Sequence, residues 1–235
     1  MTPVERDLEA RIHDRNWEVA EPSVDEAATV EGIGDRVLAR ALLDASLSIR
    51  MRTRIARALG SARGLDGPDA LAHLLDQEAL NASLRCAAMW ALGRRSGRAA
   101  TPVLGRGLAL TSKDVQECAV RALAAFGDDK YWNEAKTVLL QRLARKRNYE
   151  YVAPPSDVQS FVTYLALGAD ASQVRVDALV VLIRSCWNML HDLERSWLIQ
   201  LWPDVGPGGP DLAQVSAPTE RVFRDWFAQL PAVAG

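Results

Sequence analysis

Apolar residues recur along this chain in pairs four positions apart, and the pairs themselves recur at a constant step. Leu38 and Leu42, Leu71 and Leu75, and Leu104 and Leu108 each share one helical face, and each pair follows the last by 33 residues. A second set alternates with the first: Met51, Ile55, Ala58 and Leu59, then Leu84, Ala88, Ala91 and Leu92, then Val115, Ala119, Ala122 and Leu123. These sets are separated by 33 and 31 residues, and each falls at i, i+4, i+7 and i+8, the stripe of an amphipathic helix. The polar positions agree with that register. Ser48, Asn81 and Ser112 each stand three residues before a second-helix stripe, where a side-chain oxygen accepts the unpaired N–H groups of a first turn. Gly60, Gly93 and Gly127 are placed to close the same helices.

The pattern weakens and then resumes. A helix is predicted from about Trp132 to Arg147, carrying Val138, Leu139 and Leu143, and the stretch 148–155 ends in two prolines that a helix cannot contain. Phe161 and Leu165 then form another first-helix pair, with Val174, Ala178, Leu179 and Leu182 as its second-helix stripe. At the N-terminus Val4, Leu8 and Ile12 outline a helix, and Ser23 is placed to start a short one. Residues 203–218 are rich in Pro and Gly and read as a flexible surface loop. A last helix from about 218 presents Val222, Phe223, Trp226, Phe227 and Leu230 on one side, suited to covering an end of a stack. The expectation is one all-α domain over 1–235, a right-handed solenoid of about five helix pairs. Residues 1–33 form an N-terminal cap, 34–190 the repeats and 191–235 a C-terminal cap.

The phrases LRCAAMWALG (84–93), VQECAVRALAAFGD (115–128) and VRVDALVVL (174–182) resemble second helices of HEAT repeats, especially the short bacterial kind. The resemblance spans roughly residues 35–190. It implies a scaffold that binds a protein, nucleic acid or other ligand along the concave face formed by the second helices. The family often places an Arg just after the first apolar residue of the second helix, where it ties neighbouring repeats. Arg52, Arg85 and Arg175 match that position, and Gln116 departs from it.

Charge changes the picture more than composition does. The net charge of −2 conceals an uneven distribution: residues 1–33 carry 3 basic and 9 acidic groups, 34–147 carry 20 and 11, and 148–235 carry 5 and 10. Superimposing the second helices puts Arg57, Trp90 and Arg121 at one inner position, with Arg54 a turn earlier and Arg94 and Arg184 a turn later. Guanidinium forks beside a flat indole suit an acidic peptide with an aromatic anchor, or phosphates and stacked bases. A second basic edge runs through Arg142, Arg145, Lys146 and Arg147, with Tyr149 and Tyr151 as stacking partners. The acidic termini are also suited to folding across a basic groove.

No catalytic signature is present. The sequence lacks a P-loop, GxSxG, HExxH or a glycine-rich dinucleotide turn, and His13, His73 and His191 are isolated. Cys86, Cys118 and Cys186 have no metal-ligand spacing and read as reduced core or near-core residues, so neither a cofactor nor a metal is expected. HEAT-like DNA glycosylases have a similar length and use Trp and Asp residues. Trp187, Asp192 and Asp177 are of those types, but no motif of that family can be carried over. The longest apolar run, 179–183, is far below the ~20 residues that span a bilayer. With no signal-peptide pattern at the N-terminus, a cytoplasmic location is expected. The function expected is a non-catalytic scaffold for a protein or peptide partner, with nucleic acid as the alternative ligand.

Overall fold

Helix starts follow the local chemistry. In the computed structural model, which describes residues 1–145, 156–169 and 172–215, the Ser48 hydroxyl accepts from the Met51 amide at 3.2 Å and opens α4 (Ile49–Leu59). Asn81 accepts from Ser83 and Leu84 and opens α6 (Ala82–Ser96). Ser112 accepts from Val115 at 3.5 Å at the head of α8 (Lys113–Phe126). The described residues are helical or irregular, with no strand among them. They form two compact units, Met1–Ala122 and Leu123–Val215, and the boundary falls inside α8.

In the first unit, α1 (Pro3–Ile12) packs on α2 (Trp17–Thr29), α3 (Ile33–Leu43) on α4, and α5 (Asp66–Leu75) on α6. Between pairs like helices stack on like, with α2 also packed against α3. First helices stack on first helices (α1 on α3, α3 on α5), and second helices on second helices (α2 on α4, α4 on α6). That ladder is the packing of an α-solenoid. Its core consists of the residues the spacing selects: Leu38, Leu42, Leu71, Leu75, Met51, Ile55, Leu59, Leu84, Ala88, Ala91 and Leu92 are all buried. Each large apolar side chain withdrawn from water contributes about 1.5–3 kcal/mol.

Several expectations are corrected. Residues 1–33 form a full helix pair; α2 starts at the Asn16 cap, while Ser23 lies mid-helix with its hydroxyl donating to the Val19 carbonyl. Val4 is 50% exposed, so the N-terminal stripe consists of Leu8 and Ile12. Gly93 does not end α6, which runs to Ser96 and stops at Gly97, whose φ of 54° suits a residue without a side chain. The third first helix is broken into α7 (Thr101–Arg106) and a 3₁₀ turn, Gly107–Ala109. Gly107 at the break has no room for a side chain: a Cβ there would lie 2.8 Å from the Ala119 Cβ and 3.0 Å from the Met89 sulfur.

The second unit contains α9 (Trp132–Leu143), α10 (Asp157–Ala169), α11 (Gln173–Ser185) and α12 (Asp192–Leu201), with α10 packed on both α9 and α11. Phe161, Leu165, Leu139 and Leu143 are buried as the pattern requires, but α9 ends four residues before Arg147. Val174 is 76% exposed and Val176 takes its place in the core, so the stripe of α11 is rotated from the one expected. Residues 203–215 are anchored rather than free. Arg184 donates to the carbonyls of Asp204, Val205 and Pro210, Gln173 donates to that of Leu212, and Val205 and Val215 are buried. The predicted C-terminal helix and the 148–155 loop lie outside the described residues.

Candidate functional site

The arginine that follows the first apolar residue of a second-helix stripe is a suture within its own pair. Arg52 Nε donates to the Leu42 carbonyl at 2.8 Å, and Arg85 donates to the carbonyls of Leu75, Gln77 and Glu78. Arg175 donates to Gly168 at 2.8 Å and pairs with Asp129. Leu42, Leu75 and Gly168 are carbonyls that a helix end leaves without an internal partner, while Gln77 and Glu78 follow α5 in the loop. Gln116, which departs from the family pattern, does the same work: its amide donates to Leu108 at 3.2 Å and Leu110 at 2.7 Å. A donor of the right length is therefore the requirement, and a positive charge is not.

A buried clamp crosses two repeats. Asp35, fully buried on α3, accepts from Arg95 at 2.8 Å and from the Gly67 amide at 2.8 Å. Arg95 also donates to the carbonyls of Leu59 and Gly64, so one guanidinium joins α3, α4, the following loop and α6. Neither residue stands out in the sequence, because the pair is 60 positions apart.

The expected inner-face residues meet different fates. Arg54 is committed to Glu21 and Asp25 of α2, so acidic residues of the N-terminal pair neutralise it from the neighbouring second helix. The same segment supplies Glu5 to Arg36 and Glu9 to Arg40. Arg121 pairs with Glu117 one turn back on α8, an i,i+4 contact that was legible in the spacing. Arg57 and Arg94 are exposed and form no ion pair or side-chain hydrogen bond among the described residues. Trp90, half-buried, occupies on α6 the repeat position that Arg57 holds on α4, and it precedes Arg94 by one turn. The helices approach closely there: a Cβ on Gly60 would lie 3.3 Å from the Ala91 Cα. The structure thus places Arg57, Trp90 and Arg94 on two helices in mutual contact. Arg184 belongs to the second unit, where the carbonyls of 204–210 hold it, and Val180, its neighbour on the expected inner face, is buried.

The second basic edge is divided. Arg142 is buried, paired to Asp157 at 2.9 Å, with its guanidinium 4.9 Å from the centre of the Phe161 ring. Arg145 is exposed, whereas Lys146, Arg147, Tyr149 and Tyr151 lie outside the described residues. His191 caps α12 by accepting from the Leu193 amide, and His13 bonds Asp44 at 2.9 Å. Among the described residues no group of three or more His, Cys, Asp or Glu is arranged to hold a metal ion, and no helix is long and apolar enough to cross a membrane. A cavity of about 340 Å³ is lined by Leu75, Asp76, Arg85, Met89, Arg106 and Leu110, but Arg85 is already spent on carbonyls and Arg106 on Asp76.

A ladder of helix pairs repeating at about 33 residues, with a donor suturing four of the pairs, defines an α-helical repeat protein. Residues 77–153 match the family model described as HEAT repeats. No curated protein matches it. Among solved structures it is similar to the crystal structure of an engineered protein, at 23% identity over 77% of this chain and 85% of that one, with a TM-score of 0.48.

Proposed function

We propose that this repeat scaffold is a non-catalytic binding module that holds an acidic protein or peptide segment against α4 and α6. The observation that carries this reading is that Arg57 and Arg94, exposed and without an ion pair among the described residues, stand with Trp90 on two packed helices. An indole gives a rigid apolar platform, and flanking arginines select carboxylates, the composition typical of residues that dominate binding energy. Arg54, Arg121, Arg142 and Arg184 are engaged internally, so fewer cations remain to follow a phosphate backbone than the net charge of residues 34–147 suggests.

The test is fluorescence anisotropy with a labelled peptide of alternating Glu and Phe, set against a Lys and Phe counterpart and against single- and double-stranded DNA and RNA. Preferential binding of the acidic peptide is expected, with a weakening of at least ~10-fold, about 1.4 kcal/mol, in Arg57→Glu/Arg94→Glu. Unchanged binding in that variant overturns the site. Preferential nucleic-acid binding that falls by ~10³-fold between about 50 and 200 mM salt replaces the reading with the phosphate one.

A further inference from the structure

Two of the three cysteines, far apart in sequence, are neighbours in the fold. Cys86 on α6 and Cys118 on α8 are separated by 32 residues, within the range of the repeat step, and each is half-buried and unpaired to any disulfide. The Cys86 thiol donates to the carbonyl of Asp114 at 3.8 Å, one helical turn before Cys118 on α8, and Cys118 is close enough to act on its protonation. Both residues sit one turn before the inner-face positions of their helices, Trp90 and Arg121.

We propose that Cys86 and Cys118 form a reversible redox pair, closing to an intramolecular disulfide that fastens α6 to α8 when the chain meets a peroxide. Their roles differ. The neighbouring Cys118, burial and the carboxylates of Asp114 and Glu117 push the Cys86 thiol well above the usual cysteine range, so Cys86 keeps its proton, held toward the Asp114 carbonyl. Cys118 is therefore the sulfur that is oxidised first: it attacks one peroxide oxygen, the O–O bond breaks, the departing hydroxide takes the Cys118 proton as water, and a sulfenic acid forms. The Cys86 sulfur then attacks the sulfenic sulfur, the S–O bond breaks, and the departing hydroxide takes the Cys86 proton as water. In balance, two thiols and one hydrogen peroxide give one disulfide and two waters, with two electrons passing from sulfur to oxygen. An S–S bond of about 2.0 Å is shorter than a sulfur hydrogen bond, so closure needs rotation of both side chains about χ1. Cys186, on the second unit with its sulfur 3.7 Å from the Ser185 hydroxyl, serves as an internal reference.

The experiment treats the full-length protein with hydrogen peroxide and follows it by intact mass, thiol labelling under denaturing conditions and peptide mapping. A mass loss of ~2 Da is expected, with labelling falling from three thiols to one, a Cys86–Cys118 cross-linked peptide, and recovery on adding dithiothreitol. Cys86→Ser should instead accumulate a sulfenic acid on Cys118 that dimedone traps, while Cys118→Ser should retain both remaining thiols. Persistence of all three thiols, a link through Cys186, or stable oxygen adducts on wild-type protein would overturn the proposal. Because these readouts need no partner, their outcome is independent of the binding test above.

Discussion

The two units solve the same packing problem with different materials. Every buried apolar side chain of Met1–Ala122 is Ala, Val, Leu, Ile or Met, whereas the core of the second unit includes Trp132, Phe161, Tyr164 and Trp202. A strict repeat keeps successive helices at one spacing, so the same small side chains fill every interface and glycines such as Gly60 allow close approach. Where the repeat loses its step, gaps differ in size, and large aromatic rings with polar handles fill them. The Trp132 indole donates to the Leu165 carbonyl at 2.8 Å, and the Tyr164 hydroxyl donates to that of Asp128 at 2.8 Å. Ionic clamps serve both units, Asp35–Arg95 in the first and Arg142–Asp157 in the second.

The contrast is open to attack at several strengths. Phe161→Ala should cost about 3–5 kcal/mol in urea unfolding, and Leu59→Ala about 2–5, as truncations of fully buried side chains do. A cost below ~0.5 kcal/mol at either position means that the corresponding core is misassigned. Asp35→Ala should cost about 3–5 kcal/mol, since it strands the Arg95 charge in a site where its side chain is only 11% exposed. A loss as small as that of an exposed pair, under about 1 kcal/mol, would show that the Leu59 and Gly64 carbonyls alone satisfy the guanidinium. Tyr164→Phe removes one hydrogen bond from the second unit and should cost about 1 kcal/mol by the same measurement.

The smallest effect is on acid stability. The Ser46 amide and hydroxyl, and then His13, hold the Asp44 carboxyl down at about 2, against an ordinary value of about 3.9. A carboxyl depressed on folding contributes stability above its unfolded pKa and loses it as pH falls toward the folded one. Unfolding midpoints should therefore drop between about pH 4 and 2 more steeply in wild type than in Asp44→Asn. Equal slopes would show that the Asp44 contacts are not maintained in solution.

What the sequence made legible was local. Ser48, Asn81 and Ser112 could be assigned as caps because a cap and its target lie within three residues, and the stripes followed from helical period alone. Val174 was misplaced because its spacing from Leu165 matched the earlier pairs, yet exposure on α11 depends on which helices surround it. Gly93 read as a stop, but helix ends are set by tertiary need, and Arg95 two residues later had to reach Asp35. The candidate site was half legible: repeat alignment brought Arg57, Trp90 and Arg94 together, while the acids that occupy Arg54, Glu21 and Asp25, sit a repeat away. The Cys86–Cys118 neighbourhood was hidden in plain numbers, since 32 residues is one turn of the repeat ladder.

The sutures of Arg52, Arg85, Gln116 and Arg175 have a consequence for how such a chain can grow. Each one satisfies carbonyls of the first helix in its own pair, so a unit of about 33 residues carries its end-satisfying chemistry with it. Duplicating or excising one pair in the gene therefore leaves no helix end stripped of its donor. Length becomes free to drift between lineages, and what selection must then repair is confined to contacts that span pairs, of which the Asp35–Arg95 clamp is the deepest.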